Sequence, residues 1–267
     1  MNFSVVLSVF HKDDPVFFDL ALKSLVEQTI VPPEVIVVSD GPITDALSEV
    51  LQSYLTRYSF FVHMPCAQNM GPAHAWNLGI AAASYDWIAR MDADDICIDE
   101  RFEIQIAYIK SNPDISLLGG CISEFIMDPE ITHNIRKAPL TLDKIVACSK
   151  KSNPFNHVTV FFSKAAHAAA GKYVQVDGFV DYYLWVRMLN LGIKAANVDR
   201  TLVKVRVGND MVGRRIGLKY AKSEFEFNVA VMKIGFFTTM QGCRNIFLRC
   251  GLRLLPKFLV SYLYSLR

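Results

Sequence analysis

Long apolar runs are missing from this chain. Although 52% of its 267 residues are hydrophobic, no stretch approaches the roughly 18 uninterrupted apolar residues that a membrane-spanning helix requires, so no transmembrane anchor is expected. Cysteine pairing motifs are missing too. Cys66, Cys97, Cys121, Cys148, Cys243 and Cys250 are scattered, with no Cys-x-x-Cys and no histidine at zinc-finger spacing, which favours reduced thiols of a cytosolic protein over a disulfide or zinc framework. Residues 1–10 carry no basic leader and no small-residue cleavage site, and read as a first strand. Internal repeats, low-complexity tracts and flexible linkers are likewise missing, leaving one main α/β domain with a C-terminal appendage. Acidic residues are lacking from 240–267, which holds five basic ones; residues 1–239 hold 23 basic against 26 acidic. That asymmetry points to an acidic partner at the C-terminal end.

What is present, first, is alternation. Residues 3–10 read as a buried strand, and Asp14-Pro15 supplies an N-cap and a first-turn proline. Phe17, Leu20, Ala21, Leu25 and Val26 follow at helical spacing until Pro32-Pro33. The β-branched run Glu34-Val35-Ile36-Val37-Val38-Ser39 is typical of a parallel strand. A helix over 45–58, a strand over 60–64, a helix over 72–83, a strand over 86–91 and a helix over 99–111 continue the pattern into a doubly wound, Rossmann-like half. Beyond it, strands are expected near 115–119, 158–162, 194–198 and 202–207, with helices over 142–151, 181–191 and 217–234.

In such sheets ligands bind outside the carboxyl ends of the strands. The residues there are His11-Lys12-Asp13, Asp40-Gly41-Pro42 and Asp92-Ala93-Asp94-Asp95. Alternate carboxylates in an extended turn can converge on a hard cation such as Mg2+ or Mn2+; a solvated acidic turn capping the next helix is the competing reading. Asp40 can accept a bond from a base N–H, with a plain turn as the alternative.

These stretches, together with Leu22-Lys23-Ser24-Leu25-Val26-Glu27-Gln28-Thr29, residues 69–79, residues 153–162 and Asp181-Tyr182-Tyr183-Leu184-Trp185, resemble in order and content the family 2 glycosyltransferases of the GT-A fold. Within that family the likeness is to bacterial enzymes of O-antigen and other surface polysaccharide assembly, and it covers about residues 3–210. The resemblance implies a nucleotide-sugar-binding half over 1–110 and a mixed-sheet acceptor half over 111–210; residues 211–267 read from their own pattern as an amphipathic helical, membrane-associating region. It implies that Asp40 contacts the uracil, Asp92 the ribose or metal-linked waters, and Asp94 the Mn2+ or Mg2+ that bridges the diphosphate. Asp95 would stabilise the turn and Arg90 would lie beside the donor. His157 falls near the sugar or acceptor, or is a satisfied core histidine. Asp181 matches the general base. Val180 and Ser39 stand where the family often has carboxylates.

The implied reaction is inverting transfer of a hexose, glucose or galactose, from a UDP-sugar to a lipid-diphosphate-linked sugar such as GlcNAc-diphosphate-undecaprenol, through a β-1,3 linkage. The implied place is the cytoplasmic face of the bacterial inner membrane. The partners are those two substrates and an anionic membrane surface, with no nucleic acid. A sugar-1-phosphate nucleotidyltransferase would need a glycine-rich phosphate loop after the first strand, which His11-Lys12-Asp13 does not supply. A non-catalytic nucleotide-sugar-binding protein is suggested by Val180 alone. Arg214-Arg215, in a glycine-containing loop, can close over a diphosphate or form a solvated basic pair. On a helical wheel at ~100° per residue, Arg249, Arg253 and Lys257 fall within roughly 80°, opposite Phe247, Leu248 and Leu252, with Arg244 on the apolar side. That is the make-up of a helix lying on an anionic membrane; a helix packed on the domain, split at Pro256, is the alternative.

Overall fold

The computed structural model describes residues 1–208 and 216–253. The chain opens with β1 (Ser4–Val9), α1 (Pro15–Val26), β2 (Glu34–Ser39), α2 (Asp45–Arg57), β3 (Phe61–Pro65), α3 (Pro72–Ala82) and β4 (Trp87–Arg90). Local chemistry sets these boundaries. Asp14 accepts hydrogen bonds from the backbone N–H groups of Val16 and Phe17, with Pro15 in the first turn, and Thr44 caps α2 through Leu47 N–H. β1 pairs in parallel with β2 and β4, and β2 with β3. Helices cover both faces: Val5, Leu7 and Val9 of β1 pack into a cluster with α1 and α2, and Val6 joins Ile36, Val38 and α3 on the other side. The approach of α3 is close. A Cβ on Gly79 would lie 2.6 Å from Val6 Cγ1 and 3.0 Å from Val38 Cγ2, so only glycine fits.

The second half is β5 (Ile96–Cys97), α4 (Arg101–Ser111), β6 (Leu117–Phe125), β7 (Asn134–Arg136), α5 (Leu142–Ser149), β8 (Phe161–Ser163), α6 (Lys164–Ala169), α7 (Val180–Asn190), β9 (Ala195–Arg206) and α8 (Leu218–Lys233). Among the described residues nine strands make one sheet, ordered β3-β2-β1-β4-β8-β6-β9-β5, with β7 on β6. β8 runs antiparallel to both β4 and β6, and β6 pairs in parallel with β9, so a parallel half continues into a mixed one.

Three expectations change. The two strands over 194–198 and 202–207 are one strand, β9, whose register against β6 slips at Gly120 and Cys121, leaving Asp199 and Arg200 exposed as a bulge. The strand over 158–162 begins instead as a 3-10 turn, His157–Thr159, because Asn156 C=O accepts from both the N–H and the hydroxyl of Thr159. The third change is at the C-terminal end. There α9 (Thr239–Asn245) starts with a capping box between Thr238 and Gln241, and wider helical turns follow through Arg253. Two arginines of the expected basic stripe turn inward: Glu224 of α8 is fully buried, with Arg249 Nε 2.6 Å from one carboxylate oxygen and Arg253 Nε 3.3 Å from the other. A buried carboxylate demands such partners. Pro256 and Lys257 lie outside the described residues, as do Arg214 and Arg215. Among the described residues no helix is long and apolar enough to cross a membrane.

α6 and α7 enclose a histidine whose charge the fold opposes. His167, 3% exposed, sits 3.1 Å by its Nε2 from Asn77 Oδ1. That amide oxygen also accepts from Tyr173 N–H, so Nε2 carries the proton. Burial first, then the nearby Lys172 and Arg187, push its pKa down to about 4. The folded state therefore binds fewer protons than the unfolded state between about pH 6.5 and about pH 4. Stability is complete above that window and falls through it by on the order of 3 kcal/mol. Denaturant titrations at stepped pH should show this loss, and His167→Gln should flatten it; an unchanged slope would place the ionisation elsewhere.

Candidate active site

The parallel strands β1, β2 and β4 deliver their carboxyl ends to one edge of the sheet. At the end of β2, Asp40 is 5% exposed. One of its carboxylate oxygens accepts from Met70 N–H at 2.8 Å and the other from Gly71 N–H at 3.1 Å, while its backbone carbonyl accepts from Asn69 Nδ2. The carboxylate thus holds the N-terminal end of α3, and its remaining lone pairs are what it can offer a ligand. Gly41, at φ +87, brings the turn so close to Asn69 that a Cβ would lie 2.7 Å from its backbone nitrogen. Ser39 has its hydroxyl 2.7 Å from His63 Nε2 on β3, so the neighbouring strand supplies a partner at that position.

The turn after β4 rests on two buried arginines. Arg90 is 1% exposed. It donates to Val6 C=O at 3.1 Å and to Asp92 Oδ1 at 2.6 Å, and its guanidinium lies 4.4 Å over the ring of Trp76. Burial lowers its pKa and the charge of Asp92 opposes that. Arg90, expected beside the donor, is thus a buried cation that contacts Asp92 directly. Arg101, fully buried, donates to Arg90 C=O at 2.8 Å. Ala93 is buried, Asp94 is exposed, and Asp95 is buried with Oδ1 accepting from Arg206 N–H at 2.9 Å. The short β5, antiparallel to β9, makes that last contact possible.

Carboxylates crowd this edge. Asp13, which accepts from Phe10 N–H, has its pKa pushed up to about 6 by burial and by the charges of Asp94 and Asp92. Burial and the same two charges raise Asp95 well above the usual carboxylate range. Arg206 brings a cation to the cluster, its guanidinium 3.6 Å over the Phe17 ring and within the fields of Asp94, Asp95 and Asp14. No group of three or more His, Cys, Asp or Glu residues among the described residues is arranged to hold a metal alone. The donor set still suits Mg2+ or Mn2+, which take one or two carboxylates and complete their shell with phosphate and water. A cation there would relieve the repulsion that raises Asp13 and Asp95.

The other side of the cleft is aromatic and closes on Asp181, in the first turn of α7. Burial raises its pKa, while Tyr182 N–H, the Asn153 side chain and the charge of Arg136 pull it back; Asn153 Nδ2 donates to Oδ2 at 2.6 Å. His157 places Nε2 3.0 Å from Tyr173 OH and its ring 4.5 Å from that of Trp76. Burial and Arg90 keep its pKa well below the usual value, so the ring is neutral. Tyr173 is in turn within the fields of Arg90, Asp181 and Asp92, which puts the acidic turn and Asp181 around one space.

Trp76, Tyr173, Asn153 and Arg206 are the participants that the sequence did not single out. Trp76 donates Nε1–H to Ser8 Oγ at the end of β1 and carries the Arg90 guanidinium; an aromatic at helical spacing reads as core, and only the cleft position distinguishes it.

Residues 4–169 match the model of glycosyl transferase family 2. The amylovoran biosynthesis glycosyltransferase AmsE of Erwinia amylovora is 35% identical over 98% of this chain and 98% of its own. The UDP-Gal:alpha-D-GlcNAc-diphosphoundecaprenol beta-1,3-galactosyltransferase of Escherichia coli is 33% identical over 99% of this chain and 95% of its own. The mannosyltransferase PcManGT of Pyrobaculum calidifontis, solved with GDP-Man and Mn2+, covers 99% of this chain with 79% of its own at 12% identity and a TM-score of 0.66. That likeness is one of fold, GT-A-like.

The ion pair separates the two acids of the turn. Asp92→Ala leaves a buried guanidinium without its counter-ion. It should cost about 2 kcal/mol once the solvent at the 36% exposed side of Asp92 is allowed for. Asp94→Ala, at an exposed position, should stay within about 0.5 kcal/mol. Equal effects in urea denaturation would contradict the assignment of Asp92 to the Arg90 pair.

Proposed function

The chain belongs to glycosyl transferase family 2, and we propose from that premise that it transfers a hexose from a UDP-sugar to a lipid-diphosphate-linked sugar. UDP-galactose or UDP-glucose is the donor, GlcNAc-diphosphate-undecaprenol the acceptor and β-1,3 the linkage. The E. coli relative, aligned over nearly both full lengths, supports this substrate pair, and the Erwinia relative supports a place in surface polysaccharide assembly. The enzyme works at the cytoplasmic face of the bacterial inner membrane, where such an acceptor would be met.

The observation that carries the mechanism is Asp181, a carboxyl whose pKa burial raises and whose ionised form Asn153 and Arg136 retain. Such a group is suited to general-base work. The acceptor hydroxyl gives its proton to Asp181 while its oxygen bonds to the anomeric carbon. The bond from that carbon to the diphosphate oxygen breaks, and UDP departs with the electron pair. Attack opposite the leaving group converts an α-linked donor to a β-glycoside. Asp40 orients the uracil, and Asp94 with Asp92 would hold Mn2+ or Mg2+, which would supply neutralising charge to the diphosphate. Arg206 contributes positive charge at the same edge, and neutral His157 with Tyr173 lines the sugar side.

Incubation with a UDP-sugar panel, Mn2+ and a synthetic lipid-diphosphate acceptor tests the reading directly; absence of any glycosidic product would sink it. Asp181→Asn should lower turnover at least about 100-fold with UDP-sugar affinity retained. Wild-type turnover should fall as pH drops through a pKa above the ordinary aspartate value. Joint loss of affinity and turnover would mark Asp181 as structural. Asp94→Ala should abolish transfer and the Mn2+ dependence of UDP binding measured by calorimetry; near-native turnover would refute its role.

A further inference from the structure

The C-terminal segment, residues 239–253, is mounted with its polar side inward. Asn245 Nδ2 donates to Lys150 C=O at 3.0 Å and Arg249 to Lys151 C=O at 2.7 Å, and Arg249 and Arg253 pair with buried Glu224. The outward side is apolar: Met240 and Phe247 are each 81% exposed and Leu248 59%. Arg244, also exposed, lies between them. A helix that served only to stabilise the domain would bury its apolar side and solvate its arginines. This one does the reverse.

We propose that the face formed by Met240, Phe247 and Leu248 is a lipid-docking surface that enters the headgroup–acyl boundary of an anionic bilayer. The choice of occupant rests on charge complementarity, since exposed Arg244 lies within the face and residues 240–267 carry no acidic side chain. It also rests, for its purpose, on the lipid-linked acceptor reading above. With Arg249 and Arg253 committed to Glu224, apolar burial supplies most of the binding and cationic attraction the smaller part. The carbonyls that hold the segment belong to Lys150 and Lys151, close in the chain to Asn153, which donates to Asp181.

The intact chain should float with vesicles of phosphatidylethanolamine and phosphatidylglycerol, and raised salt should weaken binding only modestly. The double variant Phe247→Ser, Leu248→Ser should lose at least about tenfold in partition at an unchanged thermal midpoint, and should keep its turnover on a short water-soluble acceptor. Undiminished flotation of the folded variant overturns the proposal. Should that variant unfold, Phe247→Trp decides: added emission that shifts to the blue and is quenched by brominated acyl chains supports docking, and emission indifferent to lipid overturns it. A lipid-free dimer abolished by the double substitution would give the face to a second copy and overturn the lipid assignment. Vesicle binding that persists while no acceptor of any kind is glycosylated would instead sink the acceptor reading and leave the docking face standing.

Discussion

The guanidinium of Arg90 is the charge around which the cleft is organised. It is 1% exposed, where an unpaired cation would cost several kcal/mol, and its three partners come from three elements: Val6 C=O from β1, Asp92 from the turn after β4, and the Trp76 ring from α3. Moving the acidic turn would strip a buried cation of its counter-ion. Arg101 binds the same stretch from the α4 side through Arg90 C=O. The position of Asp94, an exposed residue, is therefore fixed by strand pairing and two buried cations.

That rigidity has an electrostatic counterpart. Asp13, Asp92, Asp94 and Asp95 come from two loops forced together by parallel pairing of β1 with β4, and burial with the charges of Asp92 and Asp94 raises the pKa values of Asp13 and Asp95. Arg206, reaching in from the end of β9, offsets part of it. On the opposite wall burial keeps His157 uncharged and the Tyr173 phenol protonated, with Asp181 the acid on that side. The two sides therefore differ in charge density, one crowded with carboxylates and the other aromatic.

The parallel half was legible in the sequence because its strands are buried on both faces, so β1 and β2 appear as predominantly apolar runs bounded by turn residues. β5 and β7 were not, being two and three residues long, too short for any period. The acidic clusters were legible as locations, since they follow strand ends. Their division of labour was not: that Asp92 belongs to Arg90, and that Asp40 receives the amides of α3, depends on contacts between residues far apart in the chain. The amphipathic C-terminal segment shows the same limit. Its two sides were readable from spacing, but which side faces inward is decided by Glu224, a single buried carboxylate on α8.

The two positions that depart from the family pattern are each accommodated by their neighbours. Ser39 meets His63 across the β2–β3 pair, and burial lowers the pKa of that histidine, so a neutral hydroxyl–imidazole contact suits the strand pair better than a buried carboxylate would. Val180 is 7% exposed within the apolar cluster that holds Phe155, Phe179 and Trp185. A glutamate there would add a second anion beside Asp181, whose own pKa burial already raises. With valine in place, the field of Arg136 and the amide of Asn153 act on one carboxylate alone. Valine at position 180 thus leaves Asp181 without a like-charge neighbour at that position, which suits the base role proposed for it.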